Sequence, residues 1–124
     1  MVIRQGDVYW LQLFGIGSEP AGRRPAIVVQ ADHFNRSAIN TAVVAAITSN
    51  LRLGEMPGNV RLRKGEAGLP QASVVNVSQL RTVDRSRLAE RIGSVGGDRI
   101  AQILHGLALV FGIEADDANE LQRG

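Results

Sequence analysis

The sequence predicts a mainly β protein with some α content (α+β), built as a curved antiparallel sheet or partly open small barrel that carries one C-terminal helix. Short segments rich in β-branched and apolar residues recur up to residue 95, separated by loops containing Gly and Pro. The hydrophobic period changes to three-and-four spacing only after residue 97. A doubly wound parallel sheet would need helices between its strands. The 124 residues, 44% of them hydrophobic, suit one domain with a real core.

Six segments are predicted as strands: residues 6–14, 24–30, 41–48, 59–63, 72–83 and 90–95. In the first, Val8 and Trp10 alternate against Tyr9 and Leu11. The second and third, RPAIVVQ and TAVVAAIT, are continuous apolar runs typical of buried strands. Pro25 is expected at the very start of the second strand, where its missing N–H does least harm.

The three later strands differ in length. NVRLR is short, with outward-facing arginines, ASVVNVSQLRTV is long, and ERIGSV is a last short strand. The connecting segments are predicted as a Gly/Pro loop at 15–23, a turn or short helix at 31–40, loops at 49–58 and 64–71, and a turn around residues 84–88.

An amphipathic helix is predicted at residues 98–113, DRIAQILHGLALVFGI. Its apolar stripe consists of Ile100, Ile103, Leu104, Leu107, Ala108 and Phe111. Asp98 is placed to cap the helix or to favour its positive end. We therefore expect a single domain at residues 1–113 and an acidic polar tail at 114–124.

Several classes of function are disfavoured by what the sequence lacks. It has no cysteine, and its two histidines, His33 and His105, are not at ligand spacing. The acids of the body are scattered, so we expect no metal and no cofactor. Nucleophile-elbow, dinucleotide and phosphate-loop motifs are missing. Neither a signal peptide nor a membrane span is recognisable, so we expect a cytoplasmic protein without membrane contact.

The charge distribution favours an anionic partner. The net charge is +2, but the acids of the tail hide a basic body, since residues 1–113 carry 13 basic and 8 acidic side chains. All basic residues except Lys64 are arginines, whose planar fork suits phosphate. Aromatic residues make up only 4%, which disfavours an extended base-stacking platform.

Polar groups that could bind a phosphate lie near the predicted strand ends and on the first loop. They are Ser18, Arg23, Arg24, Thr48, Ser49, Gln79, Arg81 and Thr82. Together such groups supply hydrogen bonds and positive charge without a metal. Taken alone, the pattern favours a second interpretation, in which these residues simply end strands and are solvated.

Four segments in order resemble the MazF/PemK family of toxin endoribonucleases: RQGDVYWLQL, GSEPAGRRPAIVVQADHFN, TAVVAAITS and SQLRTVDRSRL. They span residues 4–88. The resemblance implies an SH3-like small barrel in a homodimer that cuts single-stranded RNA at short motifs without a metal. It also implies an acidic antitoxin whose extended segment covers the RNA groove.

The resemblance carries the family's catalytic arginine to Arg24 and its catalytic threonine to Thr48. Ser18 and Gln79 match positions that contact RNA, and Arg23, Ser49 and Arg81 are further candidates for RNA binding. Two departures, Pro20 and Ser78, bear on the stiffness of the loop and on base preference.

The mechanism expected for this family is attack by the ribose 2′-hydroxyl on its own adjacent phosphate. This would give a 2′,3′-cyclic phosphate and a 5′-hydroxyl. Two alternatives stay open on the residues alone: a toxin of related fold that inhibits gyrase by binding it, and a non-catalytic module that binds RNA or protein.

Overall fold

The computed structural model describes residues 2–13 and 22–113, which form one six-stranded antiparallel sheet, two α-helices and three short 3₁₀ turns. The strands are β1 Asp7–Leu13, β2 Gly22–Val28, β3 Thr41–Thr48, β4 Val60–Leu62, β5 Ser73–Asp84 and β6 Leu88–Ser94. The helices are α1 Asp32–Asn35 and α2 Gly97–Phe111. The 3₁₀ turns are Leu51–Glu55, Glu66–Gly68 and Arg85–Arg87. The predicted fold class is thereby confirmed.

The sheet has the strand order β4-β5-β3-β2-β1-β6, and every neighbouring pair is antiparallel. Its two edge strands are linked by the Glu66–Gly68 turn, which packs on β6. An added Cβ at Gly68 would lie 2.5 Å from the carbonyl oxygen of Ile92, and one at Gly93 would lie 2.5 Å from that of Ala67. The absence of these side chains therefore lets the backbones meet and the sheet curl into a half-barrel.

The curled sheet buries apolar side chains on both faces. One face carries the larger core, which includes Val8, Ile27, Val75 and Val77 and is covered by α2. The other carries a smaller core of Ile3, Tyr9, Leu11, Ala26, Val28, Ala42, Val44, Val83 and Leu88. Burial on both faces explains why β2 and β3 read as continuous apolar runs rather than as alternating ones.

The prediction that Pro25 stands at the start of its strand is wrong, because β2 begins three residues earlier, at Gly22. Pro25 lies opposite Trp10 of β1. The strand tolerates it because the β2–β3 ladder begins only at Ala26, which faces Ala46.

Helix α2 uses only part of its predicted apolar stripe for packing. Ile103 and Leu107 are buried in the larger core, whereas Leu104 is 40% and Phe111 61% exposed. Gly96 occupies the N-cap position without a side-chain cap, so Asp98 does not cap the helix. It lies in the first turn, where its charge complements the positive end of the helix.

Gly106 lets α2 touch the loop before β4, and we expect Gly106→Ala to destabilise the fold by about 1–3 kcal/mol. An added Cβ would lie 2.1 Å from the backbone oxygen of Gly58, which cannot rotate away. Gly97→Ala in the same helix meets nothing within 4 Å and is the control. It should leave stability unchanged or raise it by up to ~1 kcal/mol. Equal melting temperatures for the two variants would contradict this account.

Glu66 and Arg99 form a forked ion pair that ties the turn after β4 to α2, at 2.8 Å (Nε to Oε2) and 3.1 Å (Nη2 to Oε1). The Arg99 guanidinium holds the pKa of Glu66 below its ordinary value. A lowered carboxyl pKa stabilises the fold above the ordinary value near 4.5 and loses this contribution as pH falls. In the wild type, the free energy of unfolding should fall between pH 7 and pH 3 in part because this pair is lost. We expect Glu66→Gln to reduce that fall by ~1 kcal/mol or less, measured by urea unfolding at pH 3 to 7. If the variant and the wild type showed the same dependence of unfolding free energy on pH, the ion pair would not contribute to stability.

Candidate active site

Two adjoining cavities, which together are named the groove, lie at the end of the sheet where β2 begins and β3 ends. The larger, of about 400 Å³, is lined by Leu11, Arg24, Pro25, Ala26, Val44, Ala46, Ile47, Thr48, Gln79, Leu80 and Arg81. The smaller, of about 300 Å³, is lined by Trp10, Arg23, Arg24, Pro25, Ile47, Thr48, Ser49, Leu69, Pro70, Gln71 and Ser73. Arg24, Pro25, Ile47 and Thr48 belong to both and form the wall between them.

Strand register brings Arg24 and Thr48 together. Ala26 pairs with Ala46 and Val28 with Val44 across β2 and β3. Extending this antiparallel register by two residues places Arg24 opposite Thr48, and both then point to the same face of the sheet. Residues that are far apart in sequence thus meet at one point of the groove.

The two adjacent arginines have different surroundings. Arg23 donates from Nη2 to Glu90 Oε2 at 3.1 Å, and its guanidinium carbon lies 5.5 Å from the centre of the Trp10 ring. Arg24 is exposed, and within residues 2–13 and 22–113 its guanidinium has no hydrogen-bonding acceptor. The fork of Arg24 is therefore free to receive an anion, whereas that of Arg23 is already engaged.

The Thr48 hydroxyl has a defined orientation. Its Oγ1 accepts a hydrogen bond from the backbone N–H of Asn50 at 3.1 Å, and Asn50 Oδ1 in turn accepts from the N–H of Arg52 at 3.3 Å. A hydroxyl that accepts from the backbone keeps its own proton for another acceptor. Thr48 can therefore donate to an oxygen bound in the groove.

A bulge in β5 brings Gln79 and Arg81 into the larger cavity. Ala46 faces Asn76, but its neighbour Ala45 faces Leu80, so residues 77–79 have no partner in β3. Bulges of this kind re-aim side chains and are frequent near active sites. The sequence reading predicted an uninterrupted strand here and missed the bulge.

Of the seven predicted site residues, six line this groove: Arg23, Arg24, Thr48, Ser49, Gln79 and Arg81. Ser18 lies outside the described residues, as do the departure at Pro20 and the predicted tail at 114–124. Trp10, Pro70 and Gln71 of the smaller cavity were not predicted as site residues. Trp10, the one tryptophan of the sequence, was the signal that could have predicted this cavity. An aromatic ring near an arginine that could bind phosphate offers a surface on which a base can stack.

The groove is electropositive. Its lining contains three arginines and no acidic residue among the positions that the structure describes. In that same part of the chain, no group of three or more His, Cys, Asp or Glu side chains could hold a metal ion. The arrangement suits an anion flanked by planar groups, with guanidinium for charge, hydroxyl for orientation and amide for hydrogen bonding.

Within residues 2–13 and 22–113, no helix is long and apolar enough to cross a membrane.

Comparison with known proteins gives one consistent result. Residues 4–111 match the family described as PemK-like, MazF-like toxin of type II toxin-antitoxin system. The chain is 41% identical over 112 residues to Endoribonuclease MazF2 of Mycobacterium bovis and to Endoribonuclease MazF6 of Mycobacterium tuberculosis. In both comparisons the match covers 90% of this chain and 98% of the relative.

Solved structures agree. MazF of Deinococcus radiodurans superposes with a TM-score of 0.71 at 29% identity, covering 91% of this chain and 99% of that one. The MazE–MazF structure from the same organism gives a TM-score of 0.72 at 27% identity, covering 92% and 99%. A match over nearly the whole chain, together with a groove where the predicted residues meet, leads to one conclusion: the chain belongs to the PemK-like, MazF-like family of toxins of type II toxin–antitoxin systems.

Proposed function

We propose that this chain is the toxin of a type II toxin–antitoxin pair, a sequence-specific endoribonuclease that cuts single-stranded RNA, including mRNA, without a metal. The observation that carries the proposal is the Arg24 guanidinium, which has no acceptor among the described residues, near the Thr48 hydroxyl in a groove whose described lining contains no acid. The mycobacterial relatives that share 41% of the sequence are endoribonucleases by name. The protein would act in the cytoplasm, where its substrate is found.

The reaction proposed is an internal transfer at phosphorus. The ribose 2′-oxygen loses its proton and forms a bond to the adjacent phosphorus, while the bond from phosphorus to the 5′-oxygen of the next nucleotide breaks. That oxygen takes up a proton, so the products are a 2′,3′-cyclic phosphate and a 5′-hydroxyl. The 2′-oxygen is already next to phosphorus, and this proximity supplies much of the rate.

Arg24 and Thr48 have distinct roles in this step. The guanidinium neutralises the negative charge that develops on the phosphate oxygens, because its fork can bond two of them at once. The Thr48 hydroxyl donates its free proton to the phosphate or to the attacking hydroxyl and so orients it. A charged guanidinium has no lone pair with which to accept a proton and is a poor general base, so we assign Arg24 an electrostatic role.

The other groove residues would bind the strand on either side of the cut. Arg81 and Arg23 supply charge, Ser49 and Gln79 supply hydrogen bonds, and we propose that Ser18 contacts the RNA from the loop. Trp10 and Pro70 give the smaller cavity flat apolar surface on which a base can stack.

The partner proposed is an acidic antitoxin that lies along the same groove and folds as it binds. A structural neighbour is a MazE–MazF complex. The charge of the groove lining fits an acidic peptide as well as it fits RNA, so the antitoxin would inhibit by occupying the site.

A homodimer with the RNA groove near its two-fold axis is also proposed. The edge strands β4 and β6 each have one neighbouring strand, and four large apolar side chains of α2 are at least 40% exposed. We expect light scattering at micromolar concentration to give the mass of two chains. The mass of one chain would contradict this placement of the groove.

Incubation of the purified protein with mixed-sequence RNA in EDTA tests the function directly. Cleavage at a recurring short motif, giving cyclic-phosphate ends, is the expected result. A gyrase inhibitor of related fold would leave the RNA intact and block supercoiling. A non-catalytic module would bind the RNA and leave it whole.

A further inference from the structure

We propose that Asn76 is the positioning residue for Gln79, and that it makes Gln79 present its NH₂ group to an acceptor atom on one base of the RNA. This inference deepens the proposed function and rests on it. Asn76 was not among the residues predicted from the sequence, and it does not line either cavity of the groove. Any effect on RNA must therefore pass through a neighbour.

The bulge in β5 creates the need for such a residue. Residues 77–79 leave the β3–β5 ladder, so the backbone that carries Gln79 has no partner strand on that side. A bulge without a partner strand on one side depends on side-chain hydrogen bonds to hold one conformation. Asn59, the residue before β4, provides one such bond, because its Oδ1 accepts from the backbone N–H of Val77 at 3.0 Å.

Asn76 holds two side chains of the bulge. It is only 8% exposed, and its Nδ2 donates to Gln79 Oε1 at 3.1 Å. Its Oδ1 accepts from the Ser78 hydroxyl at 3.0 Å. A buried amide in contact with two of the three bulged residues fixes both of their side chains relative to the strand.

The direction of these bonds sets what Gln79 can recognise. Its carbonyl oxygen is occupied by Asn76, and no acceptor in the described part of the chain takes a hydrogen bond from its Nε2. Gln79 is exposed and lines the cavity that also holds Arg24 and Thr48. Its free NH₂ group therefore suits acceptors such as guanine O6 and N7 or a pyrimidine O2. The arginines of the groove already provide charge for phosphate, which leaves the neutral amide for a base.

The test compares kcat/KM of the wild type, Asn76→Ala, Gln79→Ala and the double variant. The substrate is an RNA oligonucleotide that the wild type cuts, tested intact and with one abasic site at each position around the cut. We expect each single variant to lose about tenfold, the size expected for one hydrogen bond, and the double variant to lose no more. When the abasic site replaces the base that Gln79 contacts, kcat/KM of the wild type should fall by the same factor. On that strand kcat/KM of the variants should fall no further than it does on the intact strand.

Asn35→Ala is the matched control. Asn35 is equally buried, at 5%, and its amide also bridges two neighbours, but it lies at the end of α1 outside the groove lining. We expect Asn35→Ala to lower the melting temperature, while the loss of kcat/KM at each abasic position stays the same as for the wild type.

Asn76→Asp keeps the size of the side chain and carries the test if Asn76→Ala does not fold. A carboxylate only accepts hydrogen bonds, so Gln79 would turn its NH₂ inward and present its carbonyl oxygen. Preference at the one position should then shift towards a base with a donor. An unchanged preference, or losses that add in the double variant and persist on every abasic strand, would overturn the proposal. Failure of the wild type to cut any RNA would instead remove the proposed function on which the inference depends.

Discussion

Arg24→Ala is expected to lower RNA cleavage by roughly 10²–10³-fold and to abolish growth inhibition, while the fold stays intact. The side chain is exposed, and within the described residues nothing else bonds to its guanidinium, so its loss costs no structural contact. What is lost is charge at the position where the phosphate becomes more negative. Thr48→Ala should likewise abolish activity, because it removes the hydroxyl whose proton is free to donate.

Arg23→Ala is the matched control, since it removes the same group one residue away. Arg23 is paired with Glu90 and stacked on Trp10, so we expect a milder loss. Single-turnover cleavage and growth assays compare the variants, with circular dichroism to verify folding. Equal activity of Arg24→Ala and the wild type would refute the site.

A strand carrying one deoxyribose at the cleavage position should bind normally and remain uncut. The substitution removes the 2′-hydroxyl that we propose as the nucleophile and keeps every phosphate that the arginines could contact. Cleavage of the all-ribose strand should be unaffected by EDTA. Gel analysis of both strands, with filter binding for affinity, gives the answer.

The two possible outcomes separate two mechanisms. Water attack at the phosphorus would not need the 2′-hydroxyl, so the deoxy-substituted strand would be cut at the same bond. That result would end the cyclic-phosphate mechanism without affecting the assignment of Arg24, which stabilises phosphate charge in either case.

Much of the fold follows from local pattern. All six predicted strands exist, β3 has the predicted bounds, and the change of period after residue 97 marks α2. The candidate residues of the site came from the resemblance in four ordered segments rather than from the pattern.

The tertiary structure decided what depends on pairing between distant strands. The bulge at residues 77–79 has no local signal, because VVNVSQL reads as a continuous strand and only the register with β3 shows the missing partners. The ion pair between Arg23 and Glu90 joins residues that are 67 positions apart, so neither segment alone reveals it. The sequence by itself therefore predicted the order of the strands and proposed which residues bind phosphate. The packed sheet decided that Arg23 is paired with Glu90 and how Gln79 is held, because both depend on contacts that exist only after the chain has folded.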